Sequence, residues 1–298
     1  MRALCTARAR MRVCVRVCSC VSMQLKQLGT AYYVYPGASH NRFEHSLGVS
    51  YLSGAQIDYL AHSQPELRVT DEDKMLVRIA GLVHDLGHGP FSHVFDSLFI
   101  PTVRPDRAAW SHEVMSAELF EALLDDNGID LLDEHQRRCV QRLVLGAKAQ
   151  SSHAYSAPGV AQTVTMAAGF GGTRAQVHTT RTDVMGAGGD GGNGSAGSHL
   201  GGDEKMFLFD IVANGRTGID TDKWDYLARD TYNIGHTSAF DHRRLLYSSR
   251  VVEDRIAYHA KEVMAVYEMF HTRYSLFKAC YVHRATKAVE FMITDGGC

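Results

Sequence analysis

Two residues of different metal-ligand types, His84 and Asp85, stand next to each other in segment 81–90, GLVHDLGHGP. His88 follows about one helical turn later, and His93 comes after a Gly-Pro break. Imidazole and carboxylate together suit a divalent transition metal that keeps open positions for water and substrate. A single His-Asp pair can also cap or line a helix end, so the neighbouring motifs decide between the two interpretations.

Two other segments carry the same residue types, namely 42–49 (RFEHSLGV) with His45 and 218–226 (GIDTDKWDY) with Asp222. In chain order these residues form an H…HD…D signature, which resembles that of the HD superfamily of metal-dependent phosphohydrolases. Further motifs closely resemble the SAM- and HD-domain-containing deoxynucleoside triphosphate (dNTP) triphosphohydrolases. They lie at 27–30, 36–46, 84–93, 220–230, 270–273 and 281–283, within two stretches that the resemblance covers, 23–146 and 206–295.

The resemblance implies that one divalent ion is bound by four side chains: His45, His84, Asp85 and Asp222. Histidine suits iron, manganese, nickel or zinc, and carboxylates widen the choice toward manganese and magnesium. Four protein ligands would leave two positions of a six-coordinate ion for a water and a phosphate oxygen. Each of these residues alone could be a hydrogen-bonded polar residue of the core, but all four in family order favour a metal site.

The implied reaction cleaves a dNTP between its 5′ oxygen and α phosphorus, which releases a deoxynucleoside and inorganic triphosphate. The resemblance assigns catalytic roles to His112, near the phosphate chain, and to His88, beside the metal. It also implies two groups of substrate-binding residues. The residues that would contact the triphosphate are Arg42, His93, Lys223, Tyr226 and Arg273. The residues that would contact the sugar are Gln27, Leu28, Asp230 and Tyr281. Taken alone, His112, Lys223 and Arg273 would be ordinary surface residues, and Leu28 and Tyr281 would be core residues.

The resemblance also bears on regulation. Asp241, Arg244 and Lys261 match positions that hold an activating nucleotide, so GTP or a dNTP is a candidate activator. His259 stands where the family has an arginine. No SAM domain is recognisable, and we expect a catalytic-domain fragment with a truncated C-terminal lobe. A homo-oligomer, dimer or tetramer, and allosteric activation therefore stay open.

Composition narrows the class of protein. The formal net charge of −2 gives no basic surface typical of nucleic-acid binders, so single-stranded nucleic acid is a weakly supported partner. No stretch approaches the roughly 20 apolar residues of a membrane-spanning helix, and no membrane partner is expected. Four of the seven cysteines fall within residues 1–20, which is not a disulfide framework. A reduced compartment, nucleus or cytoplasm, is the expected location.

The chain divides into four segments by composition. Residues 1–22 are rich in Arg and Cys, contain no acidic residue and lie outside the stretches that the resemblance covers, which predicts an unmatched leader or, alternatively, a mitochondrial targeting signal. Residues 23–146 and 205–298 are predicted to be the two parts of the HD domain. Residues 147–204 hold 13 of the 27 glycines and few large apolar residues, which predicts a disordered insertion.

Outside the insertion, apolar spacing predicts a mostly α, HD-domain helical fold with at most a small β-hairpin. Helices are predicted over 41–61, from a capped start at Thr70, and over 113–126 and 134–145. Helical periodicity resumes at Met206. The hairpin would pair Val251-Val252 with Ile256-Ala257.

Three functions are compatible with these features. The first is a metal-dependent dNTP triphosphohydrolase that lowers dNTP pools, including dGTP. The second is an HD phosphohydrolase of another nucleotide class, and the third is a truncated, non-catalytic protein that binds nucleotides or single-stranded nucleic acid. The sugar and metal motifs favour the first.

Overall fold

The computed structural model describes residues 24–107, 110–146 and 205–296. The predicted leader 1–22 and the insertion 147–204 lie outside the described residues, so the expectations for them, targeting included, stay predictions.

Helices make up most of the described chain and are joined by short turns. The α-helices are α1 (Arg42–Ser63), α2 (Asp71–Val83), α3 (Ile100–Val103), α4 (His112–Asp126), α5 (Glu134–Leu145), α6 (Phe209–Val212), α7 (Thr221–Ile234), α8 (His242–Leu246), α9 (Val263–Leu276) and α10 (Arg284–Gly296). Short 3₁₀ turns lie at Gly29–Tyr33, Pro65–Leu67, Pro105–Arg107, Met206–Leu208 and Ala260–Glu262, and π-helical turns at Phe95–Phe99 and Phe277–Tyr281. The predicted fold class is confirmed.

The predicted helix starts follow from their capping residues. The Thr70 hydroxyl accepts from the Asp73 backbone N–H, and the Asp73 carboxylate accepts from the Thr70 N–H, which makes a capping box at the start of α2. α2 ends at Val83. His84 and Asp85 therefore lie in the turn that follows the helix, where backbone bonds run from residue i+3 to residue i.

The predicted hairpin is also confirmed. Strands β1 (Ser249–Val252) and β2 (Arg255–Tyr258) pair antiparallel, with Val251 opposite Ile256. Glu253 and Asp254 form the two-residue turn, both with positive φ, as the tight hairpin turns require.

α1 is the central helix of the fold. It packs against α2 on one side and against α7 on another. Its Val49 and Ile57 belong to one apolar core with α2, α4 and α5, whereas its Leu52 belongs to a second core with α7, α8 and α9. The first turn of α1 thus lies beside the end of α2 and the start of α7. No helix among the described residues is long and apolar enough to cross a membrane.

Candidate active site and metal centre

Three elements bring the predicted metal ligands together. His45 lies in the first turn of α1, Asp222 in the first turn of α7, and His84 and Asp85 directly after α2. His45 is 1% exposed, and His84 and Asp85 are also buried. Because α1 packs against both other helices, the three helix ends converge at one point.

The ligand atoms of these four residues point at a common centre. The His45 Nε2 lies 3.0 Å from Asp222 Oδ1 and 3.6 Å from Asp85 Oδ2. The His84 Nε2 lies 3.4 Å from Asp85 Oδ1 and 3.6 Å from Asp222 Oδ1. The structure thus brings together all four residues that the signature predicts.

The Nδ1 atom of each histidine has a hydrogen-bond partner on the side away from the common centre. The His45 Nδ1 lies 2.8 Å from Asp225 Oδ2, and the His84 Nδ1 lies 2.8 Å from the Gly81 carbonyl. Arg229 holds Asp225 in turn through two hydrogen bonds of 2.7 and 2.9 Å. Such outer partners turn the imidazole Nε2 toward a metal, and the buried His84 Nε2 has no hydrogen-bond partner among the described residues. Two imidazoles and two carboxylates in this arrangement fit a divalent transition metal.

The electrostatics of the centre favour a positive charge. Burial alone would lower the pKa of His45, but hydrogen bonds to Asp222 and Asp225 and the charge of Asp85 raise this pKa to about 10. The pKa of Asp222 is lowered, since the two histidines outweigh the effect of burial. Sequence analysis missed Asp225, although it stands three residues after Asp222 and therefore on the same face of α7.

A second group of ionisable side chains adjoins the first. His88, His93, Asp96 and His112 place their ligand atoms within 4.8 Å of one another. The His112 Nδ1 lies 2.8 Å from Asp96 Oδ2, and the His93 Nδ1 lies 3.5 Å from the same oxygen. The rings of His88 and His112 stack at 3.9 Å between centroids. Asp96 was also missed, although its i+3 spacing from His93 was the available signal.

The two groups differ in how their members hold protons. Burial, together with the nearby charge of Arg42, lowers the pKa of His88 to about 3. The pKa of Asp96 is also lowered, because hydrogen bonds from His112 and His93 outweigh its burial. Asp96 is therefore ionised and accepts a hydrogen bond from the His112 ring, which fixes the orientation of that imidazole.

One cavity of about 500 Å³ connects both groups. All nine predicted substrate-binding residues line it, namely Gln27, Leu28, Arg42, His93, Lys223, Tyr226, Asp230, Arg273 and Tyr281, together with both predicted catalytic histidines. A second cavity reaches the metal ligands beside His84. Polar atoms of Gln27, Arg42, His88 and Thr286 are buried in the first cavity wall and have no hydrogen-bond partner in the described parts of the chain. Because buried polar groups are normally paired, these atoms are suited to a polar ligand.

The predicted phosphate-binding residues make defined contacts. Arg42 donates to Asp85 through one guanidinium nitrogen and to Ser92 through another. Lys223 pairs with Asp220, which also caps α7. His93 and Arg273 are exposed at the cavity edge.

The residues predicted to hold an activating nucleotide lie elsewhere. Asp241 and Arg244 are on or next to α8, and Lys261 is in the turn before α9. None of the three lines the cavity of about 500 Å³. Arg244 on α8 donates a hydrogen bond to Glu262, the residue after Lys261, at 2.9 Å. This bond connects α8 to the turn that carries Lys261. Their role in nucleotide binding stays a prediction.

Comparison with known proteins shows first that residues 42–158 match the HD domain family. The chain is 40% identical to the deoxynucleoside triphosphate triphosphohydrolase SAMHD1 of Bos taurus, over 91% of this chain and 41% of that protein. It is 41% identical to SAMHD1 of Homo sapiens over 91% and 39%, and 38% identical to the SAMHD1 homolog of Dictyostelium discoideum over 91% and 42%. The chain thus spans about two fifths of the length of these relatives. The resemblance drawn from the motifs is confirmed.

Proposed function

We propose that this protein is a metal-dependent hydrolase that converts dNTPs to deoxynucleosides and inorganic triphosphate, and so contributes to dNTP catabolism. The observation that carries the proposal is the convergence of His45, His84, Asp85 and Asp222, with ligand atoms 3.0–3.6 Å apart, in a cavity also lined by cationic side chains. The triphosphohydrolase names of the similar proteins point the same way.

The cations of the cavity suit a triphosphate. Arg42, Lys223 and Arg273 line it. Arg42 and Arg273, the latter at the cavity edge, each offer a planar guanidinium group, and Lys223 offers a compact ammonium charge. Arginine binds phosphate oxygens in pairs, and lysine binds them as a compact charge. A bound divalent ion would activate a water and polarise the α phosphoryl group.

Proton transfer to the leaving group falls to the histidine group. We assign His112 as the general acid for the 5′ oxygen, because Asp96 fixes its Nδ1 and leaves its Nε2 available for the substrate. Histidine is the side chain most often used for proton transfer in general acid–base catalysis. His88 stacks on the His112 ring and, with its pKa of about 3, stays neutral beside Asp85.

Three finer points belong to the same proposal. Iron, manganese, zinc and magnesium all remain candidates for the ion, since the donor set is mixed. GTP or a dNTP is the proposed activator at Asp241, Arg244 and Lys261. A homo-oligomer, dimer or tetramer, is the proposed assembly.

Product analysis tests the reaction. Purified protein is incubated with Mn²⁺ or Mg²⁺, GTP and mixed dNTPs, and the products are separated by ion-exchange chromatography. We expect deoxynucleoside and inorganic triphosphate in equal amounts, with no turnover after treatment with a chelator. Monophosphate with pyrophosphate would indicate another class of HD phosphohydrolase, and nucleotide binding without turnover would indicate a non-catalytic protein.

A further inference from the structure

The buried carboxylate of Asp230 is held by two donors from distant parts of the chain. Its Oδ1 lies 2.7 Å from His40 Nε2, and its Oδ2 accepts from the Tyr281 hydroxyl at 2.5 Å. Asp230 is 1% exposed on α7, and His40 is 4% exposed just before α1. Asp230 and Tyr281 line the cavity, whereas His40 does not. His40 therefore contacts Asp230, a residue of the cavity wall, without lining the cavity itself.

The backbone of His40 holds a third cavity residue. The Gln27 N–H donates to the His40 carbonyl at 3.0 Å, and the Gln27 Oε1 is buried without a partner among the described residues. One residue thus joins Gln27 through its main chain and Asp230 through its side chain. The His40 Nδ1 is also buried and has no hydrogen-bond partner in the described chain, so its bond to Asp230 sets the orientation of the ring.

We infer that His40 is a positioning residue that fixes the sugar-facing wall of the cavity and so determines the preference for deoxyribose. The inference rests on the proposed function, in which Asp230 and Tyr281 contact the sugar. With its O–H committed to Asp230, the Tyr281 oxygen can only accept a hydrogen bond from a ligand. A wall with fixed shape and fixed polarity rejects an added 2′ hydroxyl, whereas a wall that can rearrange admits it.

The hydrogen bond from His40 holds the Asp230 carboxylate in place. A buried carboxylate needs hydrogen-bond donors, and losing one leaves Asp230 free to turn toward other partners. Tyr281 alone would then have to hold the carboxylate. The expected consequence is a less selective cavity with an intact metal centre, because the His40 side chain hydrogen-bonds to Asp230 and not to the four metal ligands.

The experiment compares three variants of the full chain. His40→Leu removes the donor at similar volume, and His40→Gln keeps an N–H at a similar reach. His62→Leu, an exposed histidine near the end of α1, is the matched control. The readouts are kcat and KM for dATP and for ATP with GTP present, equilibrium affinity for both nucleotides, bound metal and melting temperature.

We expect His40→Leu to lower the ratio of kcat/KM for dATP over ATP by roughly tenfold, the usual effect of losing a hydrogen bond to a charged group. The KM for dATP should rise more than kcat falls, and bound metal should be unchanged. His40→Gln should recover most of the ratio, and His62→Leu should match the unmodified protein. A purely structural role would lower the melting temperature of His40→Leu without changing the ratio.

An unchanged ratio in folded His40→Leu protein would overturn the inference, as would a Gln variant no more selective than the Leu variant. If His40→Leu does not fold, Tyr281→Phe removes the other donor to Asp230. The test then compares the ratio of kcat/KM for dATP over ATP in Tyr281→Phe and in His40→Gln. The inference fails if Tyr281→Phe keeps the full ratio of the unmodified protein. Absence of dATP turnover in the unmodified protein would refute the proposed function, whereas the affinity ratio for dATP over ATP would still test His40.

Discussion

At the scale of single residues, the site contains two adjoining groups to which we assign different roles. His45, His84, Asp85 and Asp222 are arranged as metal ligands, and the histidines among them are held by partners on the side away from the centre. Asp96 instead holds His112, which leaves one ring nitrogen for substrate. Removing a residue from either group should therefore impair the protein in different ways.

Asp222 offers the cleaner test of the metal group. Asp85 pairs with the buried Arg42, so its removal would leave a buried charge without a partner. About a third of the Asp222 side chain is exposed, at 34%. We expect Asp222→Asn to lose its metal and its turnover, with the free energy of unfolding in chelator changed by about 1 kcal/mol or less. Elemental analysis checks this, with Glu44→Gln, an exposed acid in the first turn of α1, as control. Full metal occupancy in Asp222→Asn would refute the ligand assignment.

His112 offers the test of the second group. We expect His112→Ala to keep its metal and bind dNTP while its single-turnover rate falls by roughly 10² to 10⁴, the usual range for general acid catalysis. Asp96→Asn should show a smaller loss, because the imidazole remains but loses its fixed orientation. Metal content, dNTP affinity and rate are measured together. A near-normal rate in His112→Ala, or loss of its metal, would show that its role is wrongly assigned.

At the scale of elements, the start of α4 is held against the metal-binding turn. An added Cβ on Gly87 would lie 2.2 Å from the His112 carbonyl and 2.5 Å from the Ser116 backbone nitrogen. The Gly87 N–H also donates to the Ser116 hydroxyl at 2.8 Å. The absence of a side chain at Gly87 is therefore what lets α4 bring His112 next to His88.

Gly87→Ala tests that contact. The methyl group would meet backbone atoms, which cannot rotate away, so α4 must shift and carry His112 with it. A displacement of about 1 Å of a catalytic group can cost roughly 10²-fold in rate. We expect such a loss with metal retained, and no change in Gly296→Ala, where an added Cβ meets nothing within 4 Å. Normal turnover in Gly87→Ala would contradict this role for the close approach.

Much of the architecture is predictable because local patterns agree with it. The Thr70 capping box, the helices after Ser111 and Asp133 and the Glu253-Asp254 hairpin turn are all short-range features. Two of the pairings that sequence analysis missed depend on long-range contacts. His40 meets Asp230 across 190 positions, and His45 meets Asp225 across 180, so no local pattern marks either pair.

At the scale of the whole molecule, the two ends of the described chain close the cavity together. Ala31, Ala38 and Cys280 form a small buried cluster, and the Tyr35 hydroxyl donates to the Ala279 carbonyl at 2.5 Å. The Thr30 hydroxyl also donates to Glu290 on α10, at 3.3 Å. The turn that carries Tyr281 is thus held against the segment that follows Gln27 and Leu28.

The reactivity of Cys280 tests whether these two ends are packed together. Its side chain is fully buried, and burial raises the pKa of the thiol to about 11. Because the thiolate is the reactive form, we expect Cys280 to resist alkylation at pH 8 in the folded protein and to react after unfolding. The half-buried Cys139 should react earlier. Peptide mapping by mass spectrometry measures both. Rapid labelling of Cys280 in the folded protein would show that the two ends do not close as described.

Hydrolysis of dATP in ¹⁸O-labelled water tests the central claim most directly. If water attacks the α phosphorus and the bond to the 5′ oxygen breaks, one ¹⁸O enters the inorganic triphosphate and none enters the deoxyadenosine. Mass spectrometry of both products reads the result. We expect singly labelled triphosphate and unlabelled nucleoside in equal amounts. Label in the nucleoside, or release of pyrophosphate or phosphate instead of triphosphate, would contradict the proposed reaction.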